Sequence, residues 1–293
     1  MTSLISILVV SSMAVLLASV AGGLGAILLG LGRQPVAAAG GPTTATAGIG
    51  GSAGLLRRGA AVGLVVALAL LVAALVMRTM LIGHAPWSNL HEFSLAFAAA
   101  LIGTHLVLAR AHPLDGLAPL TALLAAGLVI FALGLDDRID PLVPALQQPF
   151  LLTVHVGAAV LAYAVSGVAF VAAAAEIGQA RSGDRIPMLP SASTARAIGH
   201  RAVLIAFPIL TIAIALGSVW ANLAWRSYWN NDPKELAAAA TWLVFGAYLH
   251  VAGRRDRWER LAPWLIVLGF AGVLFTYIGA GLFFIGEHSY AAP

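Results

Sequence analysis

Histidine and tryptophan are the residue types in this chain with the most chemistry to offer. There are eight histidines, seven tryptophans and no cysteine. Trp220, Trp225 and Trp229 fall with Tyr228 inside one ten-residue stretch. A neutral imidazole is a common ligand for transition metals, and indole faces stack on flat ligands. A large planar macrocycle with iron at its centre would use both properties. His155 and His288 are the histidines able to approach such a ligand from opposite flanks of the tryptophan-rich segment Trp220–Glu235. A plainer reading stands beside this one. Trp and Tyr gather at membrane interfaces as a belt, and a single histidine in a membrane protein can simply be a hydrogen-bonded packing residue. The lack of cysteine excludes a disulfide framework, a thiolate metal site and a catalytic thiol in this chain. No Ser-His-Asp arrangement, hydrolase metal motif or phosphate loop is evident.

The elements that must carry these residues are membrane helices. Of 293 residues, 60% are hydrophobic and 10% charged, whereas soluble domains carry about 25% charged residues. A soluble core of this size has no room for so much apolar surface. The sequence predicts an all-α, polytopic helix bundle of about eight transmembrane helices. The spans are read at about 4–32, 60–83, 93–110, 117–134, 149–175, 202–219, 236–252 and 263–285. The first lacks a basic leading region and a small-residue cleavage site, so it is expected to be retained. The net charge of +4 is scattered over short loops. It argues for a positive-inside bias and against nucleic-acid binding.

Arginine placement sets the expected orientation. Arg33, Arg57, Arg58, Arg110, Arg181, Arg185, Arg196, Arg201, Arg254, Arg255, Arg257 and Arg260 lie in the loops after spans 1, 3, 5 and 7. Only Arg138, Arg226 and Lys234 lie in the opposite loops, with Arg78 inside span 2. The odd-numbered loops are then cytoplasmic and both termini lie outside. Residues 1–58 read as a first helix followed by a flexible, Gly/Ala-rich cytoplasmic loop with no helix of its own, and residues 59–293 as the functional membrane domain. The segment 220–235 falls on the outer face, with His84, His91, His155 and His288 on that side. His112 and His200 lie inside, and His105 and His250 near the inner ends of spans 3 and 7.

The tail of the aromatic segment has a structural reading of its own. Asp232 precedes Pro233 and stands three residues before Glu235. That spacing is a capping box with Pro at the first helical position, which accounts for Asp232 as well as a role in the site does. His250 follows Glu235 by about fifteen residues, roughly 22 Å along a helix. It is too far away to serve the outer site. It belongs to a second site near the cytoplasmic side, for which His105 is the candidate partner within the chain.

Several strings are recognisable. Phe207-Pro-Ile-Leu-Thr-Ile leads through Val219-Trp-Ala-Asn and Trp225 to Asp232-Pro-Lys-Glu, and then to Thr241-Trp-Leu-Val-Phe and Tyr248-Leu-His250. Gly83-His-Ala-Pro-Trp-Ser-Asn-Leu-His-Glu92, Thr153-Val-His155-Val and His288-Ser289-Tyr290 occur in the matching order. From about residue 80 to its end the chain resembles the CcsA/ResC-type cytochrome c assembly proteins, which handle haem and carry the WWD domain.

The resemblance implies a cytochrome c biogenesis protein of the bacterial cytoplasmic membrane, a multi-pass subunit of a cytochrome c synthase (haem lyase). It would carry haem b and present it on the outer face. With a ResB/CcsB-type partner and a thiol-reducing protein, it would support attachment to the Cys-x-x-Cys-His motif of apocytochrome c. His155 and His288 match the two external histidines that ligate the presented haem, with Trp220, Trp225, Trp229 and Asp232 around it. His250 matches a histidine that ligates haem within the membrane, its second ligand coming from the partner; this displaces the pairing with His105. The family string W-G-x-x-W-x-W-D-P-K-E departs here at Arg226, in place of glycine, and at Asn231, in place of tryptophan. Arg226 is a candidate for a haem propionate. A haem transporter or chaperone without ligation activity is one alternative, and a structural membrane subunit without haem is the other.

Overall fold

A computed structural model describes residues 1–31, 47–138, 149–254 and 260–288. These residues are helical, with no strand among them. The chain forms α1 (Thr2–Leu31), α2 (Ala47–Ile82), α3 (Leu90–Leu108), α4 (Ala118–Leu133), α5 (Pro149–Ser182), α6 (Ala192–Trp225), α7 (Pro233–Val251) and α8, which runs from Ala262 to Phe283. In α8 a wide turn at Phe275–Gly279 interrupts the regular helix. Arg33, Arg255, Arg257, Ser289 and Tyr290 lie outside the described residues.

Among the described residues, seven helices are long and apolar enough to cross a membrane. The expected span 236–252 forms as α7 but is not one of the seven. Its run of small alanines, with Thr241, Tyr248 and His250, makes it less apolar than the others. It nevertheless packs against α6 and α8. Asp232, at the start of α7, is bonded to His288, just beyond the end of α8, and the two helices pack together. Its 19 residues extend about 28 Å, close to the thickness of the hydrocarbon core. The packing is tight because α8 is narrow where they meet. A side chain added at Gly269 or Gly272 would collide with Phe245 or Thr241 of α7.

The linker expectation needs a correction. Residues 32–46 lie outside the described residues, but α2 begins at Ala47, well inside the stretch read as loop. Extending a helix costs far less than starting one, so the apolar span after Ala60 draws the preceding turns into its helix.

The core sits around α5, which packs on α3, α6 and α8. α1 and α2 lie against one another, α1 also against α4, and both present apolar side chains outward, as a lipid-facing hairpin does. Where α3, α5 and α8 converge, Phe93 stacks on Tyr277 at 5.1 Å, and Phe97 and Tyr163 pack about them. Tyr277 also meets the hydroxyl of Ser94. Arg78 of α2 is buried and bonds Glu92 of α3 at 2.8 Å, which explains how a cation is tolerated inside a span. α5 and α6 have 34 residues each, about 51 Å, so both overrun a bilayer core. Their overrun carries Arg181, Arg196 and Arg201 and lies at the end of the bundle opposite the start of α7.

Candidate functional site

A cleft opens where α3, α5 and α7 begin and α6 and α8 end. Its empty space, counted out to the open mouth, is about 1200 Å³. The aromatic cluster of Phe93, Tyr163 and Tyr277 forms part of its wall, joined by Trp87 from the loop before α3. That loop is held from below. Glu92, paired with Arg78, also accepts the hydroxyl of Ser88 at 2.6 Å and the Ser88 backbone N–H at 2.9 Å. Asn89 caps α3 by accepting from the Glu92 backbone N–H.

His155 and His288 both line this cleft. His155 lies nearly two turns into α5, and its Nδ1 is 2.9 Å from the carbonyl oxygen of Ala213 on α6. A carbonyl can only accept, so Nδ1 carries the proton and Nε2 the lone pair. The ring can approach α6 this closely because Gly217 is there. A Cβ at Gly217 would stand 2.6 Å from His155 Cε1, closer than real contacts allow. Ala213, Gly217 and Trp220 follow the helical i, i+4, i+7 rhythm, so one face of α6 makes the whole seat.

His288 is held by a carboxylate. Its Nδ1 lies 2.8 Å from Asp232 Oδ1, and its backbone N–H reaches Oδ2 at 3.4 Å. Asp232 also caps α7, accepting from the Lys234 N–H at 2.9 Å, while Glu235 reaches back to the N–H groups of Asp232 and Asn230. The capping box expected from Asp232-Pro-Lys-Glu is therefore formed, and the same carboxylate orients the histidine. Burial alone would raise the Asp232 carboxyl. The hydrogen bond and charge of His288, with the N–H groups of Lys234 and His288, outweigh it and hold the group down at about 2.

The three tryptophans do three different things. Trp220 is 1% exposed. It lies parallel to His155, ring centres 6.1 Å apart, and 5.8 Å from His288. It is a buried wall between the two imidazoles rather than the open stacking surface expected from the sequence. Trp225 lines no part of the cleft. It braces Trp220 and His288 edge-on from behind, at 4.7 and 4.8 Å. Trp229 is 42% exposed at the lip, its indole N–H held by the side chain of Asn231 at 2.9 Å.

Arg226 and Asn231, the two departures from the family string, share a backbone feature. Both have positive φ, 64° and 55°. Arg226 ends α6 in the left-handed conformation, where glycine is least strained. Its side chain is exposed and does not line the cleft. The residue that the sequence offered to a propionate therefore stands outside the cleft lining.

His250 is at the other end of α7. It is exposed, with Nε2 3.1 Å from the Arg254 guanidinium. His105 is buried and bonded to Thr121 of α4 at 2.8 Å, so the structure does not bring His105 and His250 together. Sequence reasoning gave no role to Lys234, Gly217 or Trp87. The spacing of Gly217 from Trp220 was the one signal that could have marked it.

The family model for Cytochrome C assembly protein matches residues 87–288, from the tryptophan at the cleft's edge to the second cleft histidine. The chain belongs to this family. It is 34% identical over 261 residues to the cytochrome c biogenesis protein CcsA of Parasynechococcus marenigrum (strain WH8102), covering 78% of this chain and 85% of that one. It is 37% identical over 232 residues to CcsA of Chlamydomonas reinhardtii, covering 75% and 65%. Among solved structures, the cytochrome c heme lyase CcmF shares the fold, with a TM-score of 0.56 at 22% identity. The match covers 91% of this chain, and the chain spans 46% of the length of that lyase. The resemblance read from the tryptophan-rich segment is borne out. This cytochrome c assembly protein keeps both cleft histidines within the matched stretch, whereas α1 and α2 precede it.

Proposed function

We propose that this cytochrome c assembly protein holds haem b in the cleft between His155 and His288 and presents it for attachment to apocytochrome c. One observation carries the reading. Each cleft imidazole gives Nδ1 to a fixed acceptor, Ala213 O or the Asp232 carboxylate. Metal-ligating histidines are held in this way, with tautomer and ring orientation set by a partner behind them. Two such imidazoles are too few for a bare metal ion, which needs three or four protein ligands. They suit an iron that arrives already held by a macrocycle. Among the described residues, no group of three His, Asp or Glu could hold a metal ion, in keeping with that choice. The buried wall of Trp220 and the Phe93–Tyr277 stack give an apolar lining suited to a porphyrin.

The cleft faces the outside in this reading. Arg110, Arg181, Arg185, Arg196, Arg201, Arg254 and Arg260 crowd the opposite end of the bundle, as cytoplasmic loops do. The chain acts as a subunit in the cytoplasmic membrane of a bacterium, both termini outside, with the 59–293 domain doing the haem work. His250, exposed and without a histidine partner in this chain, takes a membrane haem together with a ResB/CcsB-type subunit. The chemistry at the cleft is addition. A substrate cysteine S–H adds across a haem vinyl group, forming S–C and C–H bonds with no net redox change. The thiols come from the apocytochrome and are kept reduced by a separate protein. This chain contributes positioning and exclusion of water.

The test is spectroscopic. Purified protein should show a reduced bis-imidazole haem spectrum that His155→Ala or His288→Ala abolishes. Co-expression with a ResB/CcsB-type subunit and an apocytochrome should yield covalent cytochrome c. A wild-type protein without haem, alone and with the partner, sinks the proposal. Haem bound but never attached leaves a transporter or chaperone.

A further inference from the structure

We propose that Lys234 recognises a propionate carboxylate of the bound macrocycle, and so selects haem over uncharged planar ligands of the same shape. The inference rests on the haem reading of the cleft.

Lys234 lines the cleft beside His288 and Glu235. Its position is fixed by the cap of α7, since its own backbone N–H bonds Asp232. Its side chain runs toward the last turn of α8, where a Cβ at Gly281 would stand 3.8 Å from Cε and 3.9 Å from Nζ. Among the described residues, no carboxylate pairs with this ammonium. The two that are near in sequence are committed elsewhere. Asp232 serves the helix cap and His288, and Glu235 serves the N–H groups of Asn230 and Asp232. The cleft thus contains a half-buried cation that makes no ion pair among the described residues, with Asp232 acting on its charge only from a longer distance, in a mostly aromatic and aliphatic lining that also holds Glu235. Shielding a cation from water is costly unless an anion meets it. Haem supplies that anion, because its two propionates are its only charged groups outside the iron centre. Arg226, the other cation of the same segment, is exposed and is not among the residues lining the cleft. Lysine is a point charge on a flexible stem, suited to a carboxylate whose place varies as the macrocycle is loaded and released.

Haem dimethyl ester has the same iron, ring and vinyl groups but no carboxylates, so it isolates this contact. Full-length protein, purified free of haem in detergent, is titrated with haem and with the ester, and binding is read from the Soret band. Wild type should bind haem about tenfold more tightly than the ester, the size of one charge-assisted hydrogen bond. Lys234→Gln should remove the preference by weakening haem alone. Lys234→Arg should keep it. An unchanged Soret position in the variants shows that the imidazole ligands are undisturbed. Equal binding of haem and ester by wild type overturns the role of Lys234 while the haem reading stands, as does a preference that survives in Lys234→Gln. Wild type that binds neither overturns the haem reading, and this inference with it.

Discussion

At the cleft end of the bundle, His155 and His288 are each fixed through Nδ1 by a protein oxygen and share Trp220 between them. At the far end, His250 lies exposed beside Arg254, and His200 meets only the Tyr248 hydroxyl at 3.3 Å. One end holds two imidazoles in set orientations, as the proposed axial ligands require. The other has a histidine whose ring is set by nothing but a flexible cation. The difference teaches that preorganisation here follows from helix packing. Two close approaches, α5 on α6 at Gly217 and the returning chain on Asp232 at Gly286, help position the cleft histidines. No equivalent approach surrounds His250. In the proposed function, a partner subunit completes the far-end site.

The sharpest way to break the comparison is to remove histidines one at a time. His155→Ala or His288→Ala should abolish the low-spin spectrum of the isolated protein and lower cytochrome c maturation by a hundredfold or more, measured as covalent haem stain per cell. His250→Ala should leave the spectrum of the isolated chain unchanged and lower maturation only when the partner subunit is present. Loss of the isolated chain's spectrum in His250→Ala would show that the far end is as preformed as the cleft, and the contrast would be lost.

The second test moves a helix face. Gly217→Val should push His155 off Ala213, since even a Cβ comes within 2.6 Å of the ring. Losing the partner that orients a ligating imidazole typically costs about tenfold or more in metal affinity, measurable by haem titration. Gly246→Ala on α7 is the matched control. Its Cβ would meet Phe207 at 3.7 Å, an ordinary contact, so haem affinity should stay within twofold.

The third concerns the shared carboxylate. Asp232→Asn keeps the shape but removes the charge that holds His288, and haem affinity should fall about tenfold. Acid stability gives an independent check. The folded-state Asp232 is depressed to about 2, below the usual carboxylate range near 4. Its contribution is therefore complete above about pH 4 and is lost as pH falls toward 2. Thermal unfolding of wild type should worsen between those values more steeply than that of Asp232→Asn. Parallel curves would show that the pair does not stabilise the fold.

How much of this was legible in the sequence depends on range. Apolar length made the helices readable, including α7, which forms despite Thr241 and Tyr248. The cap at Asp232-Pro-Lys-Glu was readable because it is local. The second use of Asp232 was not, because His288 arrives from 56 positions away. The tryptophans were visible as a cluster but not as wall, brace and lip, since which face of α6 turns inward depends on where α5 packs. The start of α2 was misread because a glycine-rich run was judged by composition, while the neighbouring span extended its helix.

The smallest expected effect tests whether Arg226 belongs to the site or to the backbone. In the family string this position is glycine. Here an arginine holds φ at 64° as the residue that caps the end of α6, a conformation costing an L-residue about 1 kcal/mol relative to glycine. Its side chain is exposed and points to no part of the cleft lining. Arg226→Gly should therefore stabilise the protein by about 1 kcal/mol, partly offset by the greater freedom of glycine in the unfolded chain. The shift in Tm is about 2 °C or less. The affinities for haem and for haem dimethyl ester should not change. If instead the substitution erased the preference for haem over its ester, the propionate contact would belong to Arg226 at the rim. The cleft would then recognise its ligand's charge from outside, and its ordered interior would serve the iron alone.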